Sequence, residues 1–304
     1  MSAGLPQVTP RLRLLASLAM LGAVLIYGTN FVFSRHAALN GFTPYDLAAL
    51  RFGGAGLLLF PLFLRAGGFS TGAGLGWGRA LLLVVMSGAP MSLFQMIGLS
   101  LAPAAHGATI GPGIVSLMSV IGGMLLFGAV LTRQAGIGLG IVVTGLISFG
   151  VASGFSGTRE IILGDLSFLM MALVWGCYPL ALQKWKVDAL TATAVLSVLS
   201  LILYLPVYWL WLPSNLANIP LPIILLHGFN QAVVNMIIGL WLWGWAVRTI
   251  GASDSGKFPP LIPVVGTLIA IPVLGEWPGP LQGVAIVMIV TGLLVMALAR
   301  GKQS

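Results

Sequence analysis

The most suggestive spacing of polar residues occurs in the apolar segment HGFNQAVVNMIIGLWLWGWAVR, residues 227–248. Its polar members nearest the amino end are His227, Asn230, Gln231 and Asn235. Spacings of three to five residues place them on one broad face of a helix, where amide and imidazole groups could hydrogen-bond the ammonium, carboxylate or amide of a small solute. The alternative is hydrogen bonding between helices, which contributes only about 0.6 kcal/mol on average. We interpret this face as the lining of a solute cavity.

Aromatic residues form a second group of candidates. Tyr27 and Asn30 share one face of an apolar segment, and Trp175 and Tyr178 share one face of another. These residues fall near the middle of their segments, so they could stack against a flat, apolar substrate. Packing between helices is the alternative, and the spacing does not decide between the two.

Further polar candidates lie in two other segments. Phe94 and Gln95 are adjacent in one of them, and His106 and Thr109 lie one turn apart in the next. His106 could be protonated at physiological pH, although a lone histidine is more often a hydrogen-bonded structural group. We include all four residues as candidates for binding a solute.

Two prolines accompany these candidates. Pro112 follows Thr109, and Pro260 follows Asp254 and Lys257. Because a proline removes a helix hydrogen bond, both are candidate hinges. Lys257 could meet a substrate carboxylate, or it could simply pair with Asp254 three residues earlier.

The composition shows which kind of element carries these side chains. The chain has 304 residues, of which 58% are hydrophobic and 7% charged, whereas soluble domains carry about 25% charged residues. So few charges cannot cover a water-soluble protein of this size, so lipid must be the solvent for most of the surface. The single cysteine, Cys177, excludes a disulfide framework and a cysteine-based metal cluster. We expect neither a cofactor nor a metal.

Apolar stretches of about 20 residues, enough to cross about 30 Å of hydrocarbon, can be placed ten times. The predicted spans are 14–34, 45–64, 79–100, 104–127, 134–153, 164–183, 190–211, 222–247, 253–274 and 279–299. Backbone groups in lipid must be satisfied within the segment, and the chain lacks the alternation of a barrel, so we expect ten helices and an all-α integral membrane protein.

Arginine and lysine test this count independently. If the amino terminus is cytoplasmic and the loops alternate between the two sides of the membrane, the cytoplasmic side contains Arg11, Arg13, Arg65, Arg79, Arg133, Lys184, Lys186, Arg248, Arg300 and Lys302. Only Arg35 and Arg159 fall on the other side. This asymmetry predicts that both termini are cytoplasmic. It also accounts for the net charge of +8 without nucleic-acid binding.

The chain repeats itself at a spacing of 147–148 residues. VTGL occurs in residues 141–147 and again in 288–294, Tyr27-Gly28 matches Trp175-Gly176, and Pro112 matches Pro260. Two units, 1–153 and 154–304, would each hold five helices, so the second would enter the membrane from the opposite side. The glycines of the repeated VTGL are small residues that let the fifth and tenth helices pack closely against a neighbour.

The segment YGTNFVFSRHAA…FTPYDLAALRF resembles the opening of the EamA units of the drug/metabolite transporter superfamily. The pattern P-x-x-P-V-x-x-x-L…LGE, which contains Pro260, Pro263 and Glu276, is similar to the end of such a unit; the first unit has FGAV in place of LGEW. The resemblance routinely includes an arginine at Arg51, which favours a structural role, with extension towards Asp46 or substrate binding as the alternatives. It is strongest to bacterial aromatic amino acid exporters of the YddG type, which implies a multi-pass protein of the bacterial inner membrane.

These observations predict a transporter with a cavity between the two units. Its expected partners are a small-molecule substrate and the lipid bilayer, and we expect a monomer, with a dimer as the alternative. Aromatic amino acids are the favoured cargo; other metabolites, including nucleosides and drug-like cations, remain open. A membrane-embedded enzyme is disfavoured, because the three histidines and six carboxylates are scattered. The shortage of deep carboxylates predicts facilitated export, with His106 and His227 as the only plausible proton carriers.

Overall fold

The fold is described from a computed structural model, which covers residues 9–128, 130–156, 158–255 and 258–298. Regular structure in these residues is helical throughout. The helices are α1 Pro10–Leu39, α2 Pro44–Arg65, α3 Gly68–Thr71, α4 Trp77–Ser87, α5 Ala89–Leu101, α6 Ala104–Phe127, α7 Arg133–Ser156, α8 Arg159–Trp185, α9 Ala189–Trp211, α10 Leu221–Phe229, α11 Leu240–Ser255, α12 Leu261–Leu274 and α13 Pro280–Leu298. A 3₁₀ turn spans Leu216–Asn218, and a π-helical segment, Asn230–Gly239, joins α10 to α11.

Within the described ranges, nine helical segments are long and apolar enough to cross a membrane. Two of them are composite: Trp77–Leu101 combines α4 and α5, and Leu221–Val247 continues from α10 through the π segment into α11. The tenth expected span is represented by α12, whose 14 residues would reach about 21 Å. The prediction of one continuous helix over 253–274 was wrong. Pro260 caps α12 instead, because the consecutive Pro259 and Pro260 have no N–H to donate inside a helix.

The start of α2 shows how local sequence positions a deep polar residue. The Thr43 hydroxyl accepts a hydrogen bond from the Asp46 N–H at 3.1 Å, and the Asp46 carboxylate accepts one from the Thr43 N–H at 2.9 Å. This reciprocal cap satisfies two of the free N–H groups at the helix end, and Pro44 fits the first turn. Arg51 is thereby fixed about two turns inside the helix.

The two halves interlock in a reciprocal pattern. Helix α1 packs mainly against α11 and α12, while α8, its counterpart at a shift of 148 residues, packs against α5 and α6. The matched glycines explain both contacts. A Cβ on Gly28 would lie 2.7 Å from the Val265 Cβ of α12, and a Cβ on Gly176 would lie 3.0 Å from the Met118 Cβ of α6. Each unit therefore supplies the surface on which the first helix of the other unit packs.

Counterpart helices also pair directly. Helix α2 packs on α9, α6 on α12, and α7 on α13. The apolar core is divided into one cluster around α1, α5, α6, α8 and α12 and a second around α2, α4 and α9. Trp175 is half-buried and packs against both clusters.

The prediction about the two VTGL glycines is confirmed. A Cβ on Gly292 would lie 2.7 Å from the carbonyl oxygen of Gly138, and a Cβ on Gly145 would lie 2.7 Å from Ile289. The fifth and tenth helices of the sequence, α7 and α13, therefore pack on each other at backbone contact distance.

We expect Gly292→Ala to destabilise the protein by about 1–3 kcal/mol, the usual cost of overpacking. The new methyl group would meet the Gly138 carbonyl oxygen at 2.7 Å and the Val142 nitrogen at 2.8 Å, which are backbone atoms, in addition to the Val142 side chain. The measurement is the thermal midpoint of the purified protein in detergent. Gly283→Ala is the matched control, since it lies on the same helix with no heavy atom within 4 Å of the added Cβ. Equal midpoints for the two variants would contradict the prediction.

Four interhelical connections meet at one end of the bundle. The Asn215 side-chain amide donates to the Gly41 carbonyl at 2.8 Å, which joins the α1–α2 and α9–α10 connections. The backbone N–H of Ala104 donates to Glu276 at 2.8 Å, which joins the α5–α6 and α12–α13 connections. Loop numbering predicts that all four face away from the cytoplasm, so we call this the outer end.

Candidate solute-binding site

A buried polar network surrounds Arg51. Its Nε and Nη2 donate to the side-chain oxygen of Gln231 at 2.9 and 2.6 Å. Its Nη1 donates to the Ser92 hydroxyl at 2.9 Å and to the Gln95 side-chain oxygen at 3.1 Å. The Gln231 amide in turn donates to the Ser34 hydroxyl at 2.7 Å. All five side chains are buried, and they join α1, α2, α5 and the π segment.

Every acceptor of the Arg51 guanidinium is uncharged. No carboxylate of the described residues lies within ion-pair distance of it. Arg51 does not extend towards Asp46, which was one of the alternatives to the favoured structural role, because the Asp46 carboxylate is held at the outer end by Tyr208 and Ser214, at 2.6 and 2.7 Å. A guanidinium at membrane depth with no counter-ion is costly, which makes it a candidate for binding an anionic group of the solute.

Unpartnered polar atoms lie on three helices that pack on one another, and one of these atoms belongs to Asn30, one turn before Ser34 of this network. The Asn30 side-chain oxygen of α1, the Thr109 hydroxyl of α6 and the Thr267 hydroxyl of α12 are buried without a hydrogen-bond partner among the described residues. Close packing of Gly28 on Val265 and of Gly266 on Ala108 brings these helices together. Buried polar groups are nearly always hydrogen-bonded, so their partners here would be water or a bound solute.

The aromatic candidates pack against the two apolar core clusters. The Tyr27 ring lies 5.9 Å from the Trp243 ring, centroid to centroid, and packs against the first core cluster. Phe94 and Trp175 are half-buried and packed against the first core cluster. Tyr178 is buried in the second cluster, against which Trp175 also packs.

The polar face predicted over 227–235 is divided in the structure. Gln231 joins the Arg51 network, and Asn235 is buried on the same π segment, as is the unpartnered side-chain oxygen of Asn230. His227 instead belongs to an aromatic group at the outer end, with ring centroids of Phe42 and His36 at 5.1 and 5.7 Å. The π segment causes this division, because its hydrogen bonds run from i to i+5 and change the spacing that an α-helix would give.

Both halves of the chain match the same protein-family model. The model of the EamA-like transporter family matches the chain twice, over residues 14–150 and 162–298. The chain belongs to the EamA-like transporter family. Members of this family are membrane transporters of the drug/metabolite transporter superfamily, so the chain is a multi-pass membrane protein with two EamA repeats.

A solved crystal structure of a protein resembles the fold. It is 21% identical to this chain with a TM-score of 0.61, and the alignment covers 92% of this chain and 95% of the other. At this identity the likeness concerns the fold alone. Among curated proteins no sequence matches significantly.

The remaining candidates lie elsewhere in the two EamA repeats. His106 in the first turn of α6 contacts Asp165 in the second turn of α8. Pro112 is buried inside a continuous α6, whereas its counterpart Pro260 marks the start of α12, so the two candidate hinges differ in structure. Lys257 lies outside the described residues.

Four functional candidates escaped the sequence prediction. Ser34 and Ser92 complete the Arg51 network, and Asp165 and Gln282 contact His106. Serine and glutamine are common residue types, and their presence in a single sequence does not indicate a functional role. Asp165 could have been predicted, because it is a carboxylate inside a predicted span and such residues are functional candidates by default.

Tyr204, Tyr208, Trp209 and Trp211 lie towards the outer end of α9, and tyrosine and tryptophan at such a place are expected to be anchors in the membrane interface. Both tyrosines are buried instead, and their hydroxyls donate to the Tyr45 carbonyl and the Asp46 carboxylate. The two tryptophans are exposed, 83% and 73%, as interfacial anchors are.

Proposed function

We propose that this EamA protein exports small zwitterionic metabolites, with aromatic amino acids as the favoured substrates. The observation that carries the proposal is the buried Arg51 guanidinium without a counter-ion. A substrate carboxylate would supply that counter-ion by displacing the Gln231 oxygen, which accepts from both Nε and Nη2, and would then bind the planar fork in two places. Tyr27, Tyr178 and Trp175 would then contact an aromatic side chain, and the unpartnered Asn30 oxygen would accept from its ammonium group.

The transport cycle would be alternating access. The network of Arg51 includes Ser34, Ser92 and Gln95 from the first repeat and Gln231 from the second. A movement of one repeat against the other would therefore open or close this site to each side in turn. We propose an inverted ten-helix arrangement of units 1–153 and 154–304 with cytoplasmic termini, acting as a monomer in the bacterial inner membrane.

The test is a substrate panel in proteoliposomes. The panel contains phenylalanine, tryptophan, threonine, nucleosides and quaternary ammonium compounds, each measured by counterflow of radiolabelled substrate against protein-free liposomes. We expect the two aromatic amino acids to exchange faster than threonine. Movement of nucleosides or quaternary ammonium compounds without any amino acid would overturn the proposed substrate and leave the transporter assignment intact.

A further inference from the structure

A histidine and a carboxylate form a pair within the membrane-spanning part of the molecule. His106 Nδ1 lies 2.7 Å from Asp165 Oδ1, and their side chains are 4% and 16% exposed. The pair joins α6 of the first repeat to α8 of the second. The other ring nitrogen of His106 lies 3.3 Å from the side-chain nitrogen of Gln282 on α13.

This arrangement keeps the contact with Asp165 whether or not His106 carries an added proton. With His106 neutral, Nδ1–H donates to Asp165 and Nε2 accepts from the Gln282 amide. With His106 protonated, Nε2–H becomes a donor, and the Gln282 oxygen accepts from it only by giving up its hydrogen bond from the Gly279 N–H, which is 2.9 Å long. Uptake of a proton therefore exchanges one hydrogen bond of Gln282 for another.

The helices packed around the pair carry few other ionisable residues. Helices α5 and α12 carry no ionisable residue, and α7 offers the Phe149 ring, edge-on at 4.8 Å from the His106 ring. Glu276, which is paired with Arg35, accepts from the Ala104 N–H two residues before His106. On α8 itself, Arg159 and Glu160 lie in the first turn. Within the described residues His106 is the one basic side chain within ion-pair distance of Asp165.

The pair also connects two regions of the molecule. Asp165 lines an otherwise apolar cavity of about 300 Å³ that is open at one side, together with Ile110, Leu146 and Phe149. On the other side His106 precedes by three residues Thr109, whose hydroxyl is buried without a partner near the solute-binding region. A proton arriving at the outer end would meet Asp165 first and the buried His106 second.

We propose that His106 and Asp165 bind a coupling proton, so that proton entry drives export. The inference rests on the proposed transport function and replaces the expectation of facilitated export. The proton binds His106 from the outer end and leaves towards the cytoplasm as substrate moves outward. Intramembrane chains of histidine and carboxylate serve such relays in pumps and transporters.

The experiment separates two transport modes in proteoliposomes. Counterflow exchanges substrate at equal pH and needs no net proton movement, whereas accumulation under an imposed pH gradient needs it. In the wild type we expect accumulation, together with proton uptake reported by an internal pH dye. For Asp165→Asn and His106→Gln we expect counterflow to be retained within about twofold, while accumulation and proton uptake fall by about 5- to 150-fold, the range of ordinary coupling free energies.

Two further variants serve as controls. Glu160→Gln removes an exposed carboxylate from the first turn of the same helix α8 and should leave both modes unchanged. Asp165→Glu keeps a carboxylate and should retain accumulation. Loss of counterflow together with accumulation in Asp165→Asn would show a structural pair and overturn the inference, as would accumulation that persists in that variant.

Failure of the proposed transport function can be distinguished from failure of the proton site, because the transport function requires counterflow in the wild type. Proton binding is therefore also measured on the purified protein in detergent, without substrate, as proton release after an alkaline jump from acidic pH. We expect His106→Gln to release one proton fewer than the wild type. Equal release by the two proteins would overturn the proton site whether or not transport is observed.

Discussion

Replacing Arg51 with glutamine is expected to abolish the preference of the transporter for a free carboxylate. Tryptophan and its amide differ only in that group, so the ratio of their KM values isolates it. Hydrogen bonds to charged groups contribute about 1.5–3 kcal/mol, so the wild type should favour tryptophan by about 10- to 100-fold. In Arg51→Gln the ratio should approach one, because an amide side chain presents no positive charge to the carboxylate.

The ratio distinguishes substrate binding from a structural role. Loss of the guanidinium also leaves the oxygens of Gln95 and Gln231 without their donor, so the overall rate should fall for both substrates. A destabilised protein would transport both more slowly with an unchanged ratio. Arg51→Lys keeps the charge but loses the planar fork, and should show an intermediate ratio.

Arg65→Gln is the matched control for this experiment. Arg65 ends the same helix α2 and is exposed, so its removal should leave the KM ratio at the wild-type value. A wild type that transports tryptophan and its amide equally well would contradict the assignment of Arg51 as the carboxylate-binding residue.

The membrane-spanning helices and the two units could be predicted from the sequence, whereas the partners of Arg51 could not. Length and hydrophobicity predicted membrane-spanning helices, and the spacing of VTGL predicted two units, because both depend on properties that are local or repeated. The close contact of α7 with α13 followed from glycine, whose lack of a Cβ permits only a few roles at a helix surface.

Partners of polar side chains were less accessible to prediction. Arg51 and Gln231 are 180 residues apart, and His106 and Asp165 are 59 apart, so no local pattern relates them. The polar face that starts at His227 was predicted with α-helical spacing, and the π segment changed which residues share a face. Features of this kind depend on how four or more helices pack, which a single sequence does not specify.

The acidic residue found in only one unit has a structural explanation. Glu276 Oε1 accepts from Arg35 Nε at 2.8 Å, and its Oε2 accepts from the Ala104 N–H at the start of α6. Arg35 also donates to the carbonyls of Leu99 and Ser100 at the end of α5. One ion pair thus ties α1, the α5–α6 connection and the α12–α13 connection together at the outer end.

We expect Glu276→Gln to open the outer end more often. The amide offers one acceptor oxygen where the carboxylate uses two, so either Arg35 or the Ala104 N–H loses its partner. At about 1.5–3 kcal/mol for hydrogen bonds to charged groups, the ratio of open to closed molecules should rise by about 10- to 100-fold. The measurement is the rate at which a membrane-impermeant maleimide labels Ala105→Cys, a position 4% exposed in the first turn of α6, in a background in which Cys177→Ala removes the native thiol.

Arg35→Gln and the double variant test whether the two residues act as one unit. If the ion pair closes the outer end, either single change removes it, so the double variant should label about as fast as each single variant rather than at the product of their effects. Glu160→Gln neutralises an exposed carboxylate at the same end and should label as slowly as the parent. Unchanged labelling in Glu276→Gln would show that apolar packing of α5 and α6 on α8 closes this end, and that the single acidic residue only caps a helix.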